Sequence, residues 1–284
     1  MNGRSVFVTL GAHEIHVSEW GDPANPALVM WHGLARTGRD FDELARALSD
    51  RYFVICPDTI GRGLSGWSDA PNTDYGPSAY ARTALAMLDH YGIAQTAWIG
   101  TSLGGLVGIH LAAGTDRLTG LILNDIGPEI PADAVARIME YAGTLPEFTS
   151  VSDALDWLRA VYTPFGPAPD TFWHRMAETS IRRRDDGRLT LHYDPKIIAA
   201  FPHFADEMVT WDALARITLP VHVLRGVNSD ILTSDIAERM RGLPCVQSIT
   251  AIDGCGHAPS LSRPGDARLI ATLLESFPRR ATPA

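Results

Sequence analysis

The pentapeptide Gly100-Thr101-Ser102-Leu103-Gly104 sets a serine between two glycines in the pattern G-x-S-x-G. A short apolar run ends at Ile99 and a helix-compatible run starts at Leu103. That is the strand–turn–helix setting in which a serine is lifted above a sheet on a tight turn. Glycines are needed because side chains at those positions would clash where strand and helix converge, and the serine backbone itself is strained. The helix start would also aim amides and a positive dipole end at a developing oxyanion. The chemistry implied is nucleophilic attack on a carbonyl carbon by Ser102. A serine hydroxyl is a poor nucleophile at neutral pH, so it needs a base, and the base needs an acid to orient it.

His257 is the expected base, in Asp253-Gly-Cys-Gly-His257-Ala-Pro directly after the strand-like Gln247–Ile252. The acid should follow another strand end. Asp230 fits, because Val221–Leu224 runs into Arg225-Gly-Val-Asn-Ser-Asp230 and gives the chain order Ser102, Asp230, His257. Asp125, just beyond Leu118–Leu123, is the rival and is read as a brace at the entry to an inserted segment. Acyl transfer needs two amides facing the oxyanion. Leu103 would supply one. Leu34, in His32-Gly33-Leu34 after Ala27–Trp31, would supply the other, with His32 bonding nearby backbone. Arg36 can reach an acyl or carboxylate group of a substrate, although a surface arginine is the plainer reading. The loop Pro57–Ser65 is glycine-rich but lacks a Walker lysine and G-x-G-x-x-G spacing, so it is read as structural. There is no H-E-x-x-H and no ligand-spaced cluster, so neither metal nor cofactor is expected.

These groups need a scaffold, and the hydrophobic rhythm supplies one. Val6–Leu10 and Glu14–Glu19 alternate like antiparallel edge strands, and Ala27–Trp31, Phe53–Cys56, Ala97–Ile99, Leu118–Leu123, Val221–Leu224 and Gln247–Ile252 follow as strands. Helical patterns lie between them. The expectation is an α/β fold with a mostly parallel eight-stranded sheet and helices on both faces. From about Pro128 to Phe204 the rhythm breaks into helical patterns alone, at Pro131–Gly143, Ser152–Tyr162 and Pro169–Arg183. Residues 1–127 and 205–284 are therefore read as the core and 128–204 as a helical cap over the strand ends, where ligands bind in such sheets. Arg182-Arg183-Arg184, followed at once by Asp185-Asp186, is read as a solvated turn.

Taken in order, His32-Gly33, Asp58…Gly61-x-Gly63-x-Ser65, Gly100-x-Ser102-x-Gly104, Asp230 and Gly256-His257 make the chain resemble the α/β-hydrolase superfamily, in its branch of capped serine esterases and lactonases. The resemblance spans nearly the whole chain. It implies two-step acyl transfer through an acyl-enzyme, with small or medium hydrophobic esters as substrates. Lactones, the C–C bond of a meta-cleavage product, or a receptor role on the same fold are alternatives. The aromatic residues of the insert should give an apolar pocket wall, with Trp157, Phe165 and Trp173 as candidate contacts.

A net charge of -9 argues against a nucleic-acid partner. Three cysteines form no fully paired framework, no stretch is long and apolar enough for a membrane span, and the start shows no signal-peptide core. A cytoplasmic protein acting on a small molecule is expected. Oligomeric state is left open.

Overall fold

The apolar runs form one eight-stranded sheet in the computed structural model, which describes residues 3–278. In chain order the strands are β1 (Arg4–Leu10), β2 (His13–Trp20), β3 (Ala27–Trp31), β4 (Phe53–Pro57), β5 (Thr96–Thr101) and β6 (Leu118–Asn124). Then come β7 (Glu147–Phe148), β8 (Ile181–Arg183) and β9 (Leu189–Leu191), followed by β10 (Val221–Gly226) and β11 (Val246–Ile252). The large sheet has the order β1-β2-β4-β3-β5-β6-β10-β11. The pairs β1·β2 and β2·β4 are antiparallel, and every pair from β4 to β11 is parallel.

A parallel sheet covered on both faces needs strands that are apolar throughout, which is why Ala27–Trp31 shows no alternation. Successive side chains still point to opposite faces. Val29 and Trp31 join one hydrophobic layer with the helices Pro77–His90 and Leu103–Gly114. Leu28 and Met30 join the other with Asp42–Leu48 and Pro264–Glu275. Trp31 stacks on Trp98 of β5, with centroids 5.3 Å apart, and wedges the centre of the sheet.

Three local expectations change. β2 is not an edge strand, because it pairs with β4 as well as β1. Its polar residues are matched internally, with His16 bonded to Asp58, and Glu19 to Arg4 and Tyr91. The segment between β6 and β10 is not purely helical. Besides the helices Ala132–Gly143, Val151–Val161 and Asp170–Ser180 it holds a small antiparallel sheet, β7-β9-β8. Strands of two or three residues are too short to show a period. Arg182 and Arg183 lie in β8 rather than in a turn, and Arg184, at the hairpin bend, pairs with Glu147 and Asp186.

This segment is tied to the rest of the chain by backbone as well as side chains. Gly63 N–H donates to the His192 carbonyl and Asp194 N–H to the Gly61 carbonyl, both at 2.8 Å. Tyr75 O–H donates to Asp194 Oδ2 at 2.8 Å. The outer ends of the expected core, 1–2 and 279–284, lie outside the described residues.

Candidate active site

Ser102 occupies the turn between β5 and the helix Leu103–Gly114, with φ 52° and ψ -117°. Positive φ in a residue with a Cβ is a strained conformation. It is imposed by the packing of strand against helix, and the glycines make that packing feasible. A Cβ on Gly104 would lie 2.1 Å from the Trp31 carbonyl oxygen, and one on Gly100 would lie 2.2 Å from the Gly104 oxygen. Helix and β3 can approach this closely only without those side chains. Ser102 N–H donates to the Asn124 carbonyl at 3.0 Å, continuing the β5·β6 ladder into the turn.

His257 lies on the loop after β11. The Ser102 hydroxyl donates to its Nε2 at 2.9 Å, and its Nδ1–H donates to a carboxylate at 2.8 Å. That carboxylate belongs to Asp125, not to Asp230. Asp125 directly follows the last residue of β6 and is itself in the left-handed region, at φ 56°. Its backbone N–H donates to the Leu224 carbonyl of β10, which fixes its direction. Asp125 is fully buried, and an unpartnered carboxylate would be costly there. Three donors meet it instead: Gly226 N–H on Oδ1 at 2.7 Å, and Ser229 O–H at 2.6 Å with His257 on Oδ2.

Asp230 faces the other way. Ser229, Ile231 and Leu232 are all buried, and the chain between them turns the Asp230 side chain outward, where it is 51% exposed. It receives Arg137 Nε at 2.9 Å. The expected order Ser–Asp–His along the chain survives with either aspartate, so chain order could not separate them. The distinguishing signal was proximity, since Asp125 adjoins its strand end while Asp230 stands four residues past Gly226.

The His32 loop is built as a clip. Thr59 N–H and Oγ1–H donate to Nε2 of His32 at 2.9 and 3.0 Å, and Nδ1–H donates to the Gly33 carbonyl at 2.7 Å. That carbonyl belongs to the same peptide unit as the Leu34 N–H, so the ring sets the direction of that amide. Burial pushes the His32 pKa down from 6.5 to about 4, which keeps the ring neutral and its tautomer fixed. Arg62, itself fully buried, donates from Nε to the Leu34 carbonyl at 2.9 Å. Leu103 is the first residue of its helix, so its N–H has no acceptor within the helix.

A cavity of about 310 Å³ opens beside Ser102 and His257. One wall comes from Gly33–Arg36 and Thr101. The opposite wall comes from the segment between β6 and β10, through Arg137, Ile138, Tyr162 and Phe165. Phe165 thus lines the cavity. Trp157 and Trp173 do not line this cavity. Trp157 packs edge-on to Phe148 at 5.7 Å, and Trp173 edge-on to Phe172 at 5.3 Å. Aromatic content alone could not say which rings of the segment between β6 and β10 line the cavity and which pack elsewhere. Arg36 does line the cavity and is not a surface residue. Burial alone would lower its pKa, but the paired Asp40 carboxylate more than offsets that and raises it.

Cys255, two residues before His257, is buried, and burial raises its thiol pKa. Among the described residues no group of three or more His, Cys, Asp and Glu is placed to hold a metal ion, and no helix is long and apolar enough to cross a membrane.

Known proteins are similar to this chain over almost its whole length. The profile of the family described as "Alpha/beta hydrolase family" matches residues 28–268. A 3-hydroxybutyrate-oligomer hydrolase of Cupriavidus necator is 36% identical over 266 residues, covering 89% of this chain and 90% of that protein. The structure of an alpha/beta hydrolase from Novosphingobium aromaticivorans superposes with a TM-score of 0.86 at 33% identity, over 97% of this chain and 99% of the other. A putative hydrolase from Rickettsia typhi gives a TM-score of 0.89 at 26% identity, over 98% and 100%.

Proposed function

The chain belongs to the alpha/beta hydrolase family, and from that premise we propose that it is a serine carboxylic-ester hydrolase working through an acyl-enzyme on Ser102. The observation that carries this reading is the continuous hydrogen-bonded chain from Ser102 through His257 to the buried Asp125, opening on a largely apolar cavity.

In the first step Ser102 Oγ attacks the ester carbonyl while its proton passes to His257 Nε2. Asp125 holds the ring in the required tautomer and stabilises the imidazolium that forms. The amides of Leu34 and Leu103 face the developing oxyanion, the former aligned by the His32 clip. Collapse of the tetrahedral intermediate breaks the acyl C–O bond, and the departing alkoxide takes the proton from His257. Water then repeats the sequence on the acyl-enzyme and releases the acid.

Residues 128–204 act as the cap, since Tyr162 and Phe165 complete the wall opposite Leu34. The cavity volume stands at the low end of the roughly 300–1,000 Å³ common for ligand sites, which favours short substrates. An ester of a short hydroxy acid, the class named for the Cupriavidus necator relative, is of suitable size.

The test is release of p-nitrophenol from acetate, butyrate, octanoate and palmitate esters by the wild type and Ser102→Ala. Turnover should favour the shorter chains and fall by about 10³-fold or more in the variant. Ester turnover that persists without Ser102, or none on any ester, would sink the reading.

A further inference from the structure

Apart from Ser102, His257, Thr101 and the Tyr162 hydroxyl, the side chains on the cavity wall are apolar except for two guanidinium groups, Arg36 and Arg137, and among the described residues that line it none is acidic. The two arginines differ in their exposure and in their carboxylate partners. Arg36 is 5% exposed and committed to structure. Asp40 accepts from its Nε at 2.8 Å and from Nη2 at 2.6 Å, Ser180 accepts from Nη2 at 2.9 Å, and its plane lies 4.9 Å over the Tyr162 ring. It is a strut between the Gly33 loop and the cap. Arg137, on the cap helix Ala132–Gly143, lines the cavity while remaining 46% exposed, so it stands where the cavity meets solvent.

Arg137 already displays how it takes a carboxylate. Its Nε and Nη2 converge on one oxygen, Oδ2 of Asp230, at 2.9 and 2.6 Å. Asp230 reaches it from the loop after β10 and is itself half-exposed. An ion pair this open to water is held weakly, so a second carboxylate arriving in the cavity can replace the first at little cost. The planar guanidinium fork suits that exchange better than a point charge would.

We propose that Arg137 is the specificity-determining residue for a substrate carboxylate, exchanging Asp230 for it, so that the preferred substrates are short esters bearing a free acid group, such as uncapped oligomers of a hydroxy acid. The proposal rests on the serine-ester reading above. Hydrolysis consumes one water, breaks the acyl C–O bond at Ser102, and leaves one product as the acid and the other as the alcohol. The substrate carboxylate on Arg137 takes no part in bond making. Asp230 is then the internal competitor of the substrate, not a member of the reacting groups.

The experiment compares the linear dimer of 3-hydroxybutyrate as free acid and as its methyl ester, by kcat/KM, in wild type, Arg137→Gln, Arg137→Lys, Asp230→Asn and Ser102→Ala. Wild type should prefer the free acid by about tenfold or more, chiefly through KM, as expected for a charge-assisted bond. Arg137→Gln should bring the ratio toward one. Arg137→Lys should fall between and decides the matter if the glutamine variant does not fold. Asp230→Asn should lower KM for the free acid by a few-fold. Turnover that depends on Ser102 but shows a ratio of one or below in wild type, or the same ratio in the Arg137 variants, overturns the carboxylate proposal alone. Absence of Ser102-dependent turnover on both forms overturns the ester reading with it.

Discussion

Two aspartates compete for one role, and at the scale of single residues the difference between them is a matter of direction. Asp125 has no exposed surface and takes three donors, one of them His257, whereas Asp230 is 51% exposed and pairs with Arg137. Replacing Asp125 by Asn keeps the shape but offers an amide where the imidazole donates, which favours the wrong tautomer. Asp125→Asn should therefore lower kcat by roughly 10⁴-fold. Asp230→Asn should change turnover of p-nitrophenyl butyrate by less than about tenfold, since an exposed pair is worth about 1 kcal/mol or less. Steady-state kinetics of the two variants side by side would settle the assignment, and equal damage would refute it. The pairing of Ser102 with His257 was legible in the sequence because G-x-S-x-G and a histidine just past a strand carry their own local context. The aspartate bonded to His257 was not, because two loops beside adjacent strands each offered one, and chain order fits both. Burial of Ser229 on one side of Asp230 and of Ile231 and Leu232 on the other turns its side chain outward, away from His257.

Elements place these residues, and the loops after β3 and β4 act as one unit through His32. The neutral ring accepts from Thr59 and donates to Gly33, so protonation of Nε2 would remove the acceptor that Thr59 needs. The folded pKa of about 4 lies below the ordinary 6.5, because burial penalises the charged ring. Between those values the unfolded chain takes up a proton that the folded chain refuses. Stability contributed by the neutral ring is thus complete above about pH 6.5 and falls as the pH drops toward 4, by roughly 3 kcal/mol in all. NMR titration of the His32 ring, with urea unfolding at pH 7 and pH 5, checks both halves. A ring that titrates near 6.5 would contradict the clip. At this scale the large sheet was well read, since strands buried on both faces announce themselves as apolar runs. The small sheet β7-β9-β8 was not, because Glu147–Phe148 and Ile181–Arg183 are too short for a period and are rich in charge.

On the scale of the whole molecule, the large sheet's loops and the segment between β6 and β10 share the cavity. Gly33–Arg36 face Tyr162 and Phe165 across the cavity, and Asp194 and His192, between β9 and β10, are bonded to Gly61 and Gly63, after β4. The break in rhythm from about Pro128 is the sequence signal on which residues 128–204 are read as an insert. Which side chains of that segment turn inward depends on how its helices pack, and composition holds no record of that: Phe165 lines the cavity, while Trp157 packs on Phe148 and Trp173 on Phe172. All of these parts serve one claim, that Ser102 becomes covalently acylated with His257 as its base. Covalent capture tests that most directly. The protein would be treated with a fluorophosphonate ester, and intact mass and peptide mapping would locate the adduct in wild type and His257→Ala. The account predicts one adduct per chain, on Ser102, forming about 10³-fold more slowly without the histidine. No adduct, or an adduct at another residue, would contradict it.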